Sequence, residues 1–188
     1  MKNAAFMKHA KKSQNFFDTL SGAFAPFTFC LVGVIILSAT IQEESMNKTA
    51  LIMIDMQRGF IDPSSPICIA GAAGTVPACA EAIRFFHGNG QPLVYAVRHY
   101  RADGSDVEKA RAKVWADGGK PLSETCDESM SDAFPEEFEV IDSDRIMIKP
   151  RFSAFFATSL DLVLRRLGVQ TVVLAGTTTP NCIRTTCY

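Results

Sequence analysis

The stretch that most constrains this chain is its last eighteen residues, TVVLAGTTTPNCIRTTCY, Thr171 to Tyr188. A β-branched and apolar run, Thr171 to Ala175, breaks at Gly176. It passes through a Thr-rich turn with Pro180 and meets Cys182 as a helix begins. A buried strand ending in a tight turn and a helix is the building unit of a parallel α/β sheet. A thiol at that helix start faces free backbone amides and the positive end of the helix dipole, both of which favour thiolate over thiol. Cys182 is therefore a candidate nucleophile, against the plainer reading of a small cysteine packed in a core.

Three further stretches read as strands of the same sheet. Thr49 to Ile54 (TALIMI) is apolar throughout and stops at Asp55. A carboxylate at the carboxyl end of a parallel strand lies where open α/β sheets bind ligands, so Asp55 is either a general base or the cap of the next turn. Leu93 to Arg98 follows the helical pattern of Val76 to His87, which makes a βαβ unit with a right-handed crossover. Arg145 to Ile148 ends at Lys149, whose ammonium can reach the same crevice and hold a carboxylate or thiolate in its charged form. The apolar stripe Phe156, Leu160, Val163, Leu164 and Leu167 predicts a helix over Ser153 to Leu167, stopped by Gly168. Asp106 to Trp115 reads as a short charged helix with a solvated face, with Trp115 placed to cover a pocket.

Composition excludes several classes. A net charge of -1 over 188 residues gives no basic excess for nucleic acid. The six cysteines form no CxxC pair, so they read as free thiols in a reducing, cytoplasmic setting rather than as a disulfide scaffold. His9, His87 and His99 form no HxxH or HExxH arrangement, and no metal or other cofactor is expected. His99 follows the Leu93 strand on the pocket side, where a lone histidine is more often a bystander than an acid.

Residues 1–45 differ in kind from the rest. Lysines 2, 8, 11 and 12 precede an uncharged run from Ala23 to Ile41, long enough to serve as a membrane anchor. The competing expectation is an extension upstream of a natural start at Met46, with the working domain at 46–188. A cleaved leader fits less well, because the apolar run is long for one.

Taken together, ALIMIDMQRGF, IMIKPRFSAFF and VVLAGTTTPNC, in that order, resemble the isochorismatase-like cysteine hydrolases, the family that includes nicotinamidases and ureidoacrylate amidohydrolases. The resemblance covers Lys48 to the chain end. It implies a three-layer αβα fold around a parallel, doubly wound sheet. It also implies a triad in which Cys182 attacks a carbonyl to form a thioester, Asp55 moves the proton and Lys149 holds the charges. The oxyanion hole would be the backbone amides of Thr178 and Cys182, with a cis Thr177-Thr178 peptide just before the first. Gln57, Phe60 and Asn181 are the expected substrate contacts. The implied substrate is a small amide or ureido compound, and the implied assembly is a homo-oligomer. The pattern also departs from the family. The Asp/His metal cluster of nicotinamidases has only His87 and His99 to draw on, and the chain stops six residues past Cys182, which would leave the sheet incomplete and the Thr171 strand an exposed edge. The leading expectation is a cysteine-dependent amidohydrolase. The alternatives are an inactive, truncated member that binds or oligomerises, and a vinyl-ether hydrolase, which would not require Cys182.

Overall fold

The structure, a computed structural model, describes residues 35–36 and 49–188. Its sheet has five strands: β1 (Ile35–Ile36), β2 (Thr49–Ile54), β3 (Leu93–Val97), β4 (Arg145–Ile148) and β5 (Thr171–Gly176), in the spatial order β1-β5-β2-β3-β4. The strands β5, β2, β3 and β4 run parallel. Both central strands are buried along their whole length, as apolar runs without alternation require.

From β2 the chain steps outward to β3 and β4, then returns to lay β5 on the other side of β2. Because parallel crossovers are right-handed, that reversal puts the connecting helices on opposite faces, giving a doubly wound αβα sandwich. The helices are α1 (Arg58–Ile61), α2 (Val76–Gly88), α3 (Ala112–Asp117), α4 (Leu160–Arg166) and α5 (Arg184–Cys187). On one face Ala50, Ile52, Ile54, Val94, Ala96 and Leu174 pack with Leu160 and Leu164 of α4 and with Ile183. Residues at the alternate positions point the other way; there Tyr95 stacks near Phe134 and Phe138, with ring centroids 4.6 and 6.5 Å away.

Several sequence expectations need correction. The helix expected over Ser153 to Leu167 begins only at Leu160. Ahead of it Ala157 sits at a φ of 53°, and the Thr158 hydroxyl donates to the Ala154 carbonyl and accepts from the Leu160 amide, so side-chain bonds replace the helical ones. Phe156 and Leu167, at the two ends of the expected apolar stripe, are 58% and 41% exposed. Of Asp106 to Trp115 only the end is helical, in α3. Its charged face is not merely solvated, because Glu108 pairs with the buried Arg98.

The expectation of a membrane span at 23–41 is also corrected: no helix among the described residues is long and apolar enough to cross a membrane. Ile35 and Ile36, within that run, form a β-strand. The rest of the run, and most of the proposed extension 1–45, lies outside the described residues. Nor is β5 a bare edge along its length, since β1 pairs antiparallel with it at Val173 and Leu174.

Candidate active site

The strand order reverses at β2, so the crevice of this sheet opens beyond the carboxyl ends of β2 and β5. Asp55 follows β2 directly, in the left-handed region at a φ of 52° that Asp tolerates better than most residues. Its amide donates to the Ala96 carbonyl. Lys149 follows β4 and is anchored through its own amide to the Val97 carbonyl. Cys182 lies beyond β5, in a π-helical turn (Thr179–Ile183) that leads into α5. Single π turns are rare and recur at functional sites.

The path from β5 to Cys182 is forced. Gly176 takes a φ of 125°, and a Cβ there would sit 2.0 Å from the Ile54 carbonyl oxygen. The next peptide, Thr177-Thr178, is cis. The Thr177 amide donates to the Ile54 carbonyl, which ties this turn to the end of β2. Below Cys182, the Thr186 hydroxyl donates to the Cys182 carbonyl and accepts from the Ala154 amide, fixing the Cys182 turn to the segment after Lys149.

These connections bring Asp55, Lys149 and Cys182 together. The Lys149 ammonium has no exposed surface and stands 2.7 Å from Asp55 Oδ2, 3.5 Å from Cys182 Sγ and 3.3 Å from the Arg151 carbonyl oxygen. An ammonium has three donors, and here each has an acceptor. Among the described residues Asp55 Oδ1 is buried with no hydrogen-bond partner. Burial pushes the Cys182 thiol up to about 12, with the Asp55 carboxylate adding to the shift and Lys149 opposing it. Burial and the Asp55 carboxylate thus work against the helix-terminal stabilisation of a thiolate.

A cavity of about 470 Å³ opens onto this group. Of the residues expected at the site, Asp55, Phe60, Thr178, Asn181 and Cys182 line it, and so does Trp115. Gln57 does not. It is fully buried, and its amide is spent on the backbone: Nε2 donates to the carbonyls of Arg98 and Asp132, and Oε1 accepts from the Arg98 amide. It braces the end of β3. His99 pairs with Asp132 at 2.7 Å and His87 with Asp144 at 2.9 Å, and neither lines the cavity. Among the described residues no cluster of three or more His, Cys, Asp or Glu is arranged to hold a metal ion.

Sequence reasoning missed Arg98, at the end of β3. It is 3% exposed, lines the cavity, and donates to the Tyr100 hydroxyl, Glu108 Oε1 and the Pro150 carbonyl. Burial works against its charge, but the bond to Glu108 and the nearby Tyr100 and Asp55 more than offset this, so its pKa is raised. The rule that singled out Asp55 and Lys149, a polar residue at the carboxyl end of a parallel strand, applies to Arg98 equally.

The model of the isochorismatase domain matches residues 49–188. The chain belongs to the isochorismatase family. A family protein of known crystal structure, from Desulfovibrio vulgaris subsp. vulgaris str. Hildenborough, is similar at 39% identity and a TM-score of 0.67, covering 74% of this chain and 72% of that one. Among curated isochorismatase-like relatives, a protein named as a probable inactive nicotinamidase from Arabidopsis thaliana is 33% identical over 77% of this chain and 74% of its own length. A maleamate amidohydrolase from Pseudomonas putida is 35% identical over 73% of this chain. The matched part spans 62% of that enzyme's length.

Proposed function

We propose that this isochorismatase-family hydrolase cleaves the C–N bond of a small amide or ureido compound through a thioester on Cys182. Substrate enters the cavity with its carbonyl carbon against Sγ. The thiol proton passes to the free Oδ1 of Asp55 as sulfur bonds to carbon. The carbonyl oxygen, now negative, is met by the backbone amides of Thr178 and Cys182. Collapse of this intermediate breaks the C–N bond, and the proton held by Asp55 leaves with the amine. Asp55 then takes a proton from water, whose oxygen attacks the thioester, and returns it to sulfur as the acid departs. Lys149 donates to the carboxylate and to the transient sulfur anion in turn.

The single observation carrying this reading is the buried Lys149 ammonium bridging Asp55 Oδ2 and Cys182 Sγ. A sealed ion pair next to a thiol is a costly arrangement for stability alone. A thiol held near 12 also needs a base within reach if it is to act at neutral pH, and Asp55 has an oxygen to spare. The relatives named as amidohydrolases support the same chemistry.

Intact-protein mass spectrometry on acid-quenched mixtures with a panel of small amides tests it. An adduct of the acyl mass on the intact chain, absent in Cys182→Ala, is expected. Folded protein that binds amides yet forms no adduct and releases no amine returns the chain to a binding role.

A further inference from the structure

The Lys149 ammonium and the Cys182 sulfur are 3.5 Å apart, yet they follow strands β4 and β5, which have β2 and β3 between them. No strand pairing sets that distance directly. A second route joins the same two residues. The chain after Lys149 comes back to the ammonium through the Arg151 carbonyl, at 3.3 Å. Three residues on, the Ala154 amide donates to Thr186 Oγ1 at 3.0 Å, and that hydroxyl donates to the Cys182 carbonyl at 2.7 Å. The contacts therefore close a ring, from the ammonium through Arg151 to Ala154, across Thr186 to Cys182, and from its sulfur to the ammonium again.

Thr186 joins the two halves of that ring. The half carrying Arg151 and Ala154 lies between the end of β4 and the start of α4, outside any strand or helix. Side-chain bonds place it instead: the two backbone groups of Ala154 are taken by threonine hydroxyls, the amide by Thr186 and the carbonyl by Thr158. A threonine that donates to the carbonyl four residues back is ordinary in a helix. The other bond of Thr186 is not local, since it reaches 32 residues back to a fully buried alanine. Thr186 itself is 4% exposed. From this closure we infer that Thr186 is a positioning residue: its hydroxyl fixes the Cys182 turn against the segment behind Lys149, and so holds the sulfur beside the ammonium. The same bond steadies the Cys182 amide proposed to meet the carbonyl oxygen. Thr186 acts through Cys182, and it is not among the residues that line the cavity. The inference rests on the hydrolytic reading and adds to it what keeps the reacting groups in register.

Thr186→Val keeps the shape of the side chain and removes both bonds, whereas Thr186→Ser keeps the hydroxyl. Leu164→Ala is the control, because it hollows the same core cluster without touching the ring. Two rates are followed on folded protein: turnover of an amide, and alkylation of the Cys182 peptide by iodoacetamide at pH 8, which needs no turnover. Misplacing reacting groups by about 1 Å can cost on the order of 10²-fold, so Thr186→Val is expected to lower kcat by about 10–100-fold. KM should change by less than about twofold, as for a contact that matters only in the transition state. Alkylation should slow as well, because the slackened ring lets the sulfur leave its cation. Thr186→Ser should restore both rates, and Leu164→Ala should lower the urea midpoint while leaving both near the parent values. Thr186→Ala is read in the same way if the valine protein does not fold. The inference is overturned if Thr186→Val lowers only the urea midpoint, if alkylation is unchanged or faster, or if serine fails to restore the rates. Slower alkylation in a protein that turns over no amide in any form would retain the positioning of the sulfur and discard the hydrolase.

Discussion

Asp55 and Lys149 are paired at 2.7 Å with 2% and 0% of their side chains exposed, at the ends of two strands that are not neighbours in the sheet. Removing one partner leaves the other charge buried and alone, which typically costs about 3–5 kcal/mol. Lys149→Met is therefore expected to be strongly destabilised. Asp55→Asn with Lys149→Met should be less so than the sum of the two single changes. Urea denaturation of the four proteins measures the coupling, and additive effects would show that the pair is not energetically linked.

The Cys182 thiol and the Asp55 carboxylate give a test in which reactivity and turnover move in opposite directions. Asp55 helps hold the thiol up to about 12, so Asp55→Asn should let it ionise at lower pH and alkylate faster with iodoacetamide at pH 8. Loss of the base should meanwhile cut turnover by about 10²–10⁴-fold. Unchanged turnover in Asp55→Asn would show that Asp55 is not the base. The sign for stability follows from a raised thiol pKa. The folded state holds this proton more tightly than the unfolded chain, whose thiol titrates near 9.0. This contribution is complete below that pH and is lost as pH climbs toward 12. Cys182→Ala should accordingly lose less stability across that alkaline window.

Gly176 cannot be replaced. Its φ of 125° strains any residue with a Cβ, and that Cβ would meet the Ile54 carbonyl oxygen at 2.0 Å. Gly176→Ala is expected to cost more than about 3 kcal/mol or to yield insoluble protein, because both the strand pairing and the turn to Cys182 must shift. A soluble variant with an unchanged urea midpoint would contradict the close approach of β5 and β2 described above.

Gln57→Ala should damage the fold rather than recognition. The substitution strips hydrogen bonds from both the amide and the carbonyl of Arg98, and each buried group left unsatisfied costs about 1–3 kcal/mol. The expected result is a lower urea midpoint with little change in KM for protein that remains folded. A raised KM at unchanged stability would instead make Gln57 a substrate contact.

The strands and the converging trio were legible in the sequence because one rule covers them. Apolar runs of strand length alternate with helical segments, and a polar residue standing at the end of such a run lands in the crevice. The same rule would have found Arg98, had the arginine not been counted as the last residue of its strand. Gln57 lies outside the cavity lining because nearness in sequence to Asp55 says nothing about direction, and its side chain bonds to the backbone at the end of β3. The helix over 153–167 failed because its apolar spacing is helical while Thr158 supplies local bonds that compete with the helix. The cavity-lining residues Val107, Arg111 and Leu122 were out of reach, because they lie in the irregular segment between β3 and β4, where no periodicity reports which side chains face inward. The upward push of burial on the Cys182 thiol was not legible, because a dipole can be seen in a sequence and burial depth cannot.

The reacting groups sit on strand ends, whereas much of the cavity wall comes from the excursion between β3 and β4. On the proposed reading, the chemistry and a large part of the cavity wall are thereby housed in separable parts of the chain. A lineage built this way can trade one wall for another and acquire new substrates while the machinery beneath stays untouched. Grafting that excursion between relatives is the corresponding route for an engineer.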